Sequence, residues 1–166
     1  LRAGDLDLGL LALPVTEPGV EILPVYMEPF LVAMPRGHRL DNAETIAEGE
    51  LKDETLLLLE DGHCFRDQAL DVCALSGAQA GDGFAATSLP TLVEMVAGGL
   101  GLTLLPALAA PSLAAGGQIG LRRFAEPAPT RTMALVWRRG SPRSGDIRRL
   151  ADVITRHMPD GARRLR

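Results

Sequence analysis

The 166-residue chain is short of cysteine, of positive charge and of long apolar runs. Two cysteines are too few to staple a secreted disulfide scaffold, so a cytoplasmic setting is the better reading. In that setting the pair must be explained as buried thiols, metal ligands or redox groups. No apolar stretch approaches the ~20 residues that a membrane helix needs. The longest candidate, Val96 to Ala110, is broken by Gly98, Gly99, Gly101 and Pro106, so no membrane partner is expected. The opening residues do not read as a signal peptide. Seventeen basic against 21 acidic residues give a net charge of −4. Surfaces that grip nucleic-acid phosphates are usually basic, so this stretch is not expected to hold DNA itself. The arginines from Arg163 to Arg166 read as a solvated tail.

Several reaction classes lack their motifs. Cys64, Cys73, His38 and His63 show no paired C-x-x-C or H-x-x-x-H spacing, so no metal is expected. The glycines at 98–101 end a helix instead of opening one, unlike a nucleotide loop, and no cofactor is implied. Ser141 and Ser144 have no suggested His and Asp partners for a hydrolase. There is no internal repeat.

What remains is the composition of a globular protein, 46% hydrophobic and 23% charged. Leu8 to Leu13 reads as a strand after an Asp/Gly turn. Glu21 to Pro35 is extended, but Pro24 and Pro29 suggest an irregular or edge position. Arg36 to Asn42 is a polar loop, and Glu44 to Leu51 looks like one or two helical turns. Thr55 to Leu59 is a short strand. Cys64 to Ser76 reads as a helix that Gly77 can end. Phe84 to Ala86 is a brief strand, and Thr87 or Ser88 caps a helix to about Ala97. Strands follow at 102–105, 121–124 and 132–138, with 107–120 mostly loop. Ile147, Leu150, Ala151, Ile154 and Met158 give the clearest amphipathic helix, at 146–158. Alternating strands and helices indicate an α/β fold with a largely parallel sheet.

Four segments in order resemble the regulatory domain of LysR-type transcription regulators. They are LRAGDLDLGLL at 1–11, FLVAMPRGHRL at 30–40 with His38, ATSLPTLVEMVAGGLGLTLLPA at 86–107, and TMALVWRRGSPRS at 132–144. The resemblance implies a two-lobed, periplasmic-binding-protein-like α/β fold with an effector cleft between the lobes. Residues 1–27 and 132–166 would form a first lobe lacking its N-terminal part, and 28–131 the second. DNA would be bound only through a separate N-terminal winged helix-turn-helix.

Within that family, LLLLEDGHCFRDQALDVC at 56–73 is similar to the peroxide-sensing branch. The likeness implies that Cys64 reacts with hydrogen peroxide and that Cys73 resolves the product as a disulfide. It implies that His63, Arg66, Gln68 and Arg131 surround or tune the reactive sulfur, and that Thr87 and Ser88 face the cleft. Further implied partners are a thiol reductant of glutaredoxin or thioredoxin type, RNA polymerase, and other copies of the chain in a homodimer or homotetramer. The domain is not expected to be an enzyme.

The residues support this chemistry in part by themselves. Peroxide attack needs a thiolate, and a free cysteine with a pKa of about 8.5 is only a few per cent ionised at neutral pH. A first-turn position favours the anion by roughly 0.3–1 kcal/mol, and Arg66 or His63 could add positive charge. Nine residues of straight helix span about 13.5 Å, while a disulfide needs Cα atoms within roughly 4.4–6.8 Å. If the two cysteines join, their segment must unwind. The plainer alternative is that both are small core residues, a role Cys73 suits beside Phe65, Ala69 and Val72. Two other functions keep part of the pattern: a LysR-type domain holding a small organic effector, and a thiol peroxidase.

Overall fold

The computed structural model describes residues 1, 3–61 and 64–165, with the main chain alone for residues 64 and 82–84. The chain forms two compact units, 1–29 with 130–166, and 30–129. No helix among the described residues is long and apolar enough to cross a membrane.

The first unit is built on three antiparallel strands. The central one is β8 (Thr130–Arg138), flanked by β1 (Leu8–Ala12) and by the first half of β2 (Val20–Pro35). β8 carries TMALVWR, and Met133 to Trp137 are all buried. Helix α4 (Ser144–Arg156) packs on this sheet through Ile147 and Ala151. The fully buried Trp137 ties it down, donating from Nε1 to Ser144 Oγ at 3.2 Å with the Arg148 guanidinium over its ring. Arg148 also reaches Glu21 on β2, the residue paired with Trp137 across the ladder. The first half of β2 is bulged between Pro24 and Tyr26 and ladders only with β8. Its open side is met by the C-terminal segment, where Met27 and Arg163 exchange backbone hydrogen bonds at 2.8 and 2.7 Å. The tail expected to be free in solvent is thus held at Arg163, because an edge strand offers unpaired backbone groups.

The second unit carries the second half of β2, flanked antiparallel by β6 (Thr103–Pro106) and β7 (Ile119–Phe124). This half is central and not at an edge, while the irregularity that the prolines suggested is the bulge after Pro24 in the first half. The ladder begins after Pro29, at Phe30 and Leu31, so neither proline removes one of its donors. β7 pairs in parallel with β3 (Thr45–Ile46), and β4 (Thr55–Leu59) in parallel with β5 (Gln79–Ala86). A parallel bridge from Leu56 to Leu102 joins β4 to the approach of β6. The sheet is therefore mixed where a largely parallel one was expected. The chain leaves the first unit along β2 and returns along β8, which makes those two strands antiparallel.

Helix α1 (Cys64–Ser76) follows β4, and Gly77 ends it at φ +74°. Helix α2 (Leu89–Ala97) follows β5. The helical turns expected over 44–51 reduce to a 3-10 turn at Glu48–Leu51, after β3 takes Thr45 and Ile46. A four-residue helix, α3 (Ala110–Leu113), interrupts the expected loop. β5 is longer than its QAGDGFAA sequence suggested, since pairing with β4 outweighs weak intrinsic preference. The core gathers Leu56 to Leu59, Phe65, Leu92, Val96, Leu104 and Leu105.

Gly101 sits where β4 and the approach to β6 come closest. A Cβ there would lie 2.6 Å from the Thr55 carbonyl oxygen and 3.2 Å from Leu57 Cγ. Gly101→Ala should lower stability by about 1–3 kcal/mol, as overpacking generally does, read as a shift of the urea midpoint. An unchanged midpoint would contradict the close packing of these two segments.

Candidate functional site

The candidate site lies in the second unit, where two helices begin at the carboxyl ends of neighbouring parallel strands. Leu59 and Ala86, the last residues of β4 and β5, are paired, and Glu60 N–H donates to the Ala86 carbonyl at 3.0 Å. α1 starts five residues after Leu59, at Cys64, and α2 starts three residues after Ala86, at Leu89. The carboxyl edge of parallel strands is where open α/β sheets bind ligands. First-turn amides without an intrahelical acceptor give each helix start a partial positive charge.

α1 opens at Cys64, which sequence reasoning placed in the first turn. The Cys64 side chain and the whole of His63 lie outside the described residues. Phe65 is buried and meets Phe30 edge-on at 5.7 Å between ring centroids, anchoring the first turn to β2. Arg66 points back along the chain. Its Nη1 donates to the Leu59 carbonyl at 2.9 Å, and its Nε lies 2.9 Å from Asp61 Oδ1. Gln68 is half-buried further along the helix. Phe65, Ala69, Val72, Cys73 and Ser76 are the buried side of the helix.

Cys73 is 6% exposed and a member of the hydrophobic core. Burial pushes its thiol above the ordinary value, and a backbone hydrogen bond only partly opposes this. In the wound helix Cys73 is therefore a protonated, poorly nucleophilic sulfur. Among the described residues, which leave out His63 and the Cys64 side chain, no group of three potential metal ligands occurs.

Ser88, rather than Thr87, caps α2: its Oγ accepts from Thr91 N–H at 3.3 Å and bonds Thr91 Oγ1 at 2.9 Å. Thr87 is exposed beside it. Arg131 belongs to the first unit. Its Nε and Nη2 both donate to Glu28 Oε2, at 2.8 and 2.7 Å, across the β2–β8 ladder. Glu28 is 1% exposed, so this is a buried ion pair. Burial and the Glu28 charge together push the neighbouring Tyr26 hydroxyl up, against the opposing influence of Arg131. Sequence reasoning missed Glu28 and Asp61. A carboxylate inside the apolar run VYMEPF was a signal for Glu28, whereas nothing marked Asp61.

The LysR substrate binding domain matches residues 1–159. This chain belongs to that family. The hydrogen peroxide-inducible genes activator of Pectobacterium carotovorum is 43% identical over 158 residues, 95% of this chain and 52% of that protein. The reduced OxyR regulatory domain from Pseudomonas aeruginosa matches at TM-score 0.78 and 42% identity, covering 93% of this chain and 74% of that one. An oxidised form of OxyR matches at TM-score 0.81 and 42% identity, covering 95% and 74% respectively. The chain spans about half the length of the curated relatives it matches.

The burial of Cys73 in this LysR substrate-binding domain has a direct consequence. At neutral pH, iodoacetamide should leave Cys73 unmodified in the native reduced protein and alkylate it rapidly in denaturant, as followed by peptide mass spectrometry. Rapid native alkylation would show that the core does not enclose it.

Proposed function

We propose that this domain is the hydrogen peroxide sensor of a LysR-type transcription activator, working through a reversible Cys64–Cys73 disulfide. The observation that carries the reading is one continuous helix with Cys64 at its start and Cys73 in the core. Relatives named for peroxide-inducible gene activation, and similar OxyR structures solved in reduced and oxidised forms, support it.

In this reading the Cys64 thiolate attacks one peroxide oxygen. An S–O bond forms as the O–O bond breaks, and the departing hydroxide takes a proton to become water. The first-turn amides of α1 and the Arg66 charge favour that thiolate, and by the family likeness Gln68, His63 and Arg131 are further residues expected to tune the peroxide site. Thr87 and Ser88 border it at the start of α2. Cys73 then attacks the sulfenic sulfur, forming the S–S bond while the hydroxyl leaves with the thiol proton as a second water. Two thiols and one peroxide become a disulfide and two waters.

The order of the two steps follows from burial. Cys73 is protonated and enclosed until α1 unwinds, so Cys64 reacts first and Cys73 second. A thiol reductant of glutaredoxin or thioredoxin type resets the bond by exchange. DNA contact through a winged helix-turn-helix, RNA polymerase contact, and dimer or tetramer assembly in the cytoplasm complete the regulator.

The test is stoichiometric peroxide on the reduced full-length natural protein, with free-thiol counting and peptide mapping. Both thiols should disappear and a Cys64–Cys73 peptide appear. Cys64→Ser should abolish the response, and Cys73→Ser should stop at sulfenic acid. Unreactive thiols, with a small organic molecule that raises the melting temperature, would replace peroxide by a metabolite. Rapid multiple turnover with a reductant would make the protein a peroxidase.

A further inference from the structure

We propose that Asp61 and Arg66 are positioning residues that latch α1 in its wound form and thereby set how readily the Cys64–Cys73 disulfide forms. The inference rests on the redox reading above. Arg66 sits in the first turn of α1, just after Cys64. Its guanidinium reaches back to two points before the helix, the carbonyl of Leu59 and the carboxylate of Asp61, each at 2.9 Å. Leu59 is the last residue of β4 and is buried in the core, so this anchor is part of the sheet. Asp61 is almost fully exposed.

One planar group therefore staples the first helical turn to a fixed strand end. Unwinding α1 from its start, as disulfide closure requires, must pull Arg66 off both partners. Contacts made in the dithiol form and lost in the disulfide form favour the dithiol by mass action. The geometry needs the arginine fork: Nη1 serves the carbonyl while Nε serves the carboxylate, and a lysine ammonium cannot hold that spread. The second anchor of the first turn, Phe65 against Phe30, is apolar and independent of charge. The Asp61 end faces water, so salt should weaken it.

The latch separates two roles that one arginine could fill. Favouring the Cys64 thiolate depends on positive charge, and holding the helix depends on fork geometry and on Asp61. Arg66→Lys keeps the charge and removes the fork. Asp61→Asn keeps Arg66 and removes its partner's charge.

The experiment equilibrates the full-length natural protein with glutathione redox buffers and measures the dithiol–disulfide ratio. It also measures the rate of the first oxidation step with peroxide. Asp61→Asn and Arg66→Lys should each shift the equilibrium toward disulfide by about threefold, the scale of a modest partly exposed ion pair. That is roughly 14 mV at about 29.6 mV per tenfold. Combining them should shift it no further, because they break the same staple. Half-molar salt should move the parent toward Asp61→Asn. The first-step rate of Asp61→Asn should stay within about twofold of the parent, since that variant leaves Arg66 and its positive charge in place.

A general loss of stability would lower the melting temperature of both redox forms and leave their ratio in place. An unmoved ratio, a shift toward dithiol, or additive effects would overturn the latch while leaving the sensor reading intact. Absence of any Cys64–Cys73 bond in the parent would overturn both together.

Discussion

Cys73 lies nine residues beyond Cys64 on one continuous helix, and a covalent bond between their sulfurs cannot form across it. The axial rise alone is about 13.5 Å, roughly double the widest Cα separation a disulfide accepts. Several features of the second unit bear on whether that helix stays wound. Phe65, Ala69, Val72 and Cys73 face the core, and burying a valine or phenylalanine side chain contributes about 1.5–3 kcal/mol. Gly77 closes the helix in the left-handed region at its far end. In the proposed switch, unwinding gives up these contacts together, which sets the dithiol and disulfide forms apart as alternatives. A small chemical event at one sulfur can thus be passed on as a change of shape.

The same burial divides the work between the two sulfurs. Cys64 stands at a helix start on the carboxyl edge of parallel strands, where partial positive charge gathers. Cys73 is enclosed, with its thiol pushed up. In the proposed sensor, two cysteines of identical intrinsic chemistry thereby acquire different reactivity from position alone. In the first unit, the buried Glu28–Arg131 pair at the end of the β2–β8 ladder fixes an arginine whose direction a flexible surface side chain would not hold.

The elements with local signatures were legible in the sequence. The apolar stripe of α1, closed by Gly77, gave both ends of that helix. Ser88 before Pro90 marked the start of α2, and the period of Ile147, Leu150 and Ala151 marked α4. What escaped was set by pairing across the chain. The extended stretch at 21–35 was read, but its central position was not, because β8, β6 and β7 supply its partners from far along the chain. β5 is extended because β4 lies beside it, and Arg163 is tied down because an edge was open. In the candidate site, Cys64, Cys73 and Arg66 were named through the likeness of the 56–73 run to the peroxide-sensing branch. The partners of Arg66 are a backbone carbonyl and a solvent-facing aspartate, and neither has a sequence signature.

The central claim is that oxidation and the wound α1 exclude one another. Hydrogen exchange on the backbone amides of residues 68–76, compared between the reduced protein and the peroxide-treated protein, tests it most directly. The account predicts slow exchange in the reduced form, and loss of that protection in step with the appearance of the Cys64–Cys73 peptide. A disulfide-bonded protein in which these amides remain protected as before would contradict it.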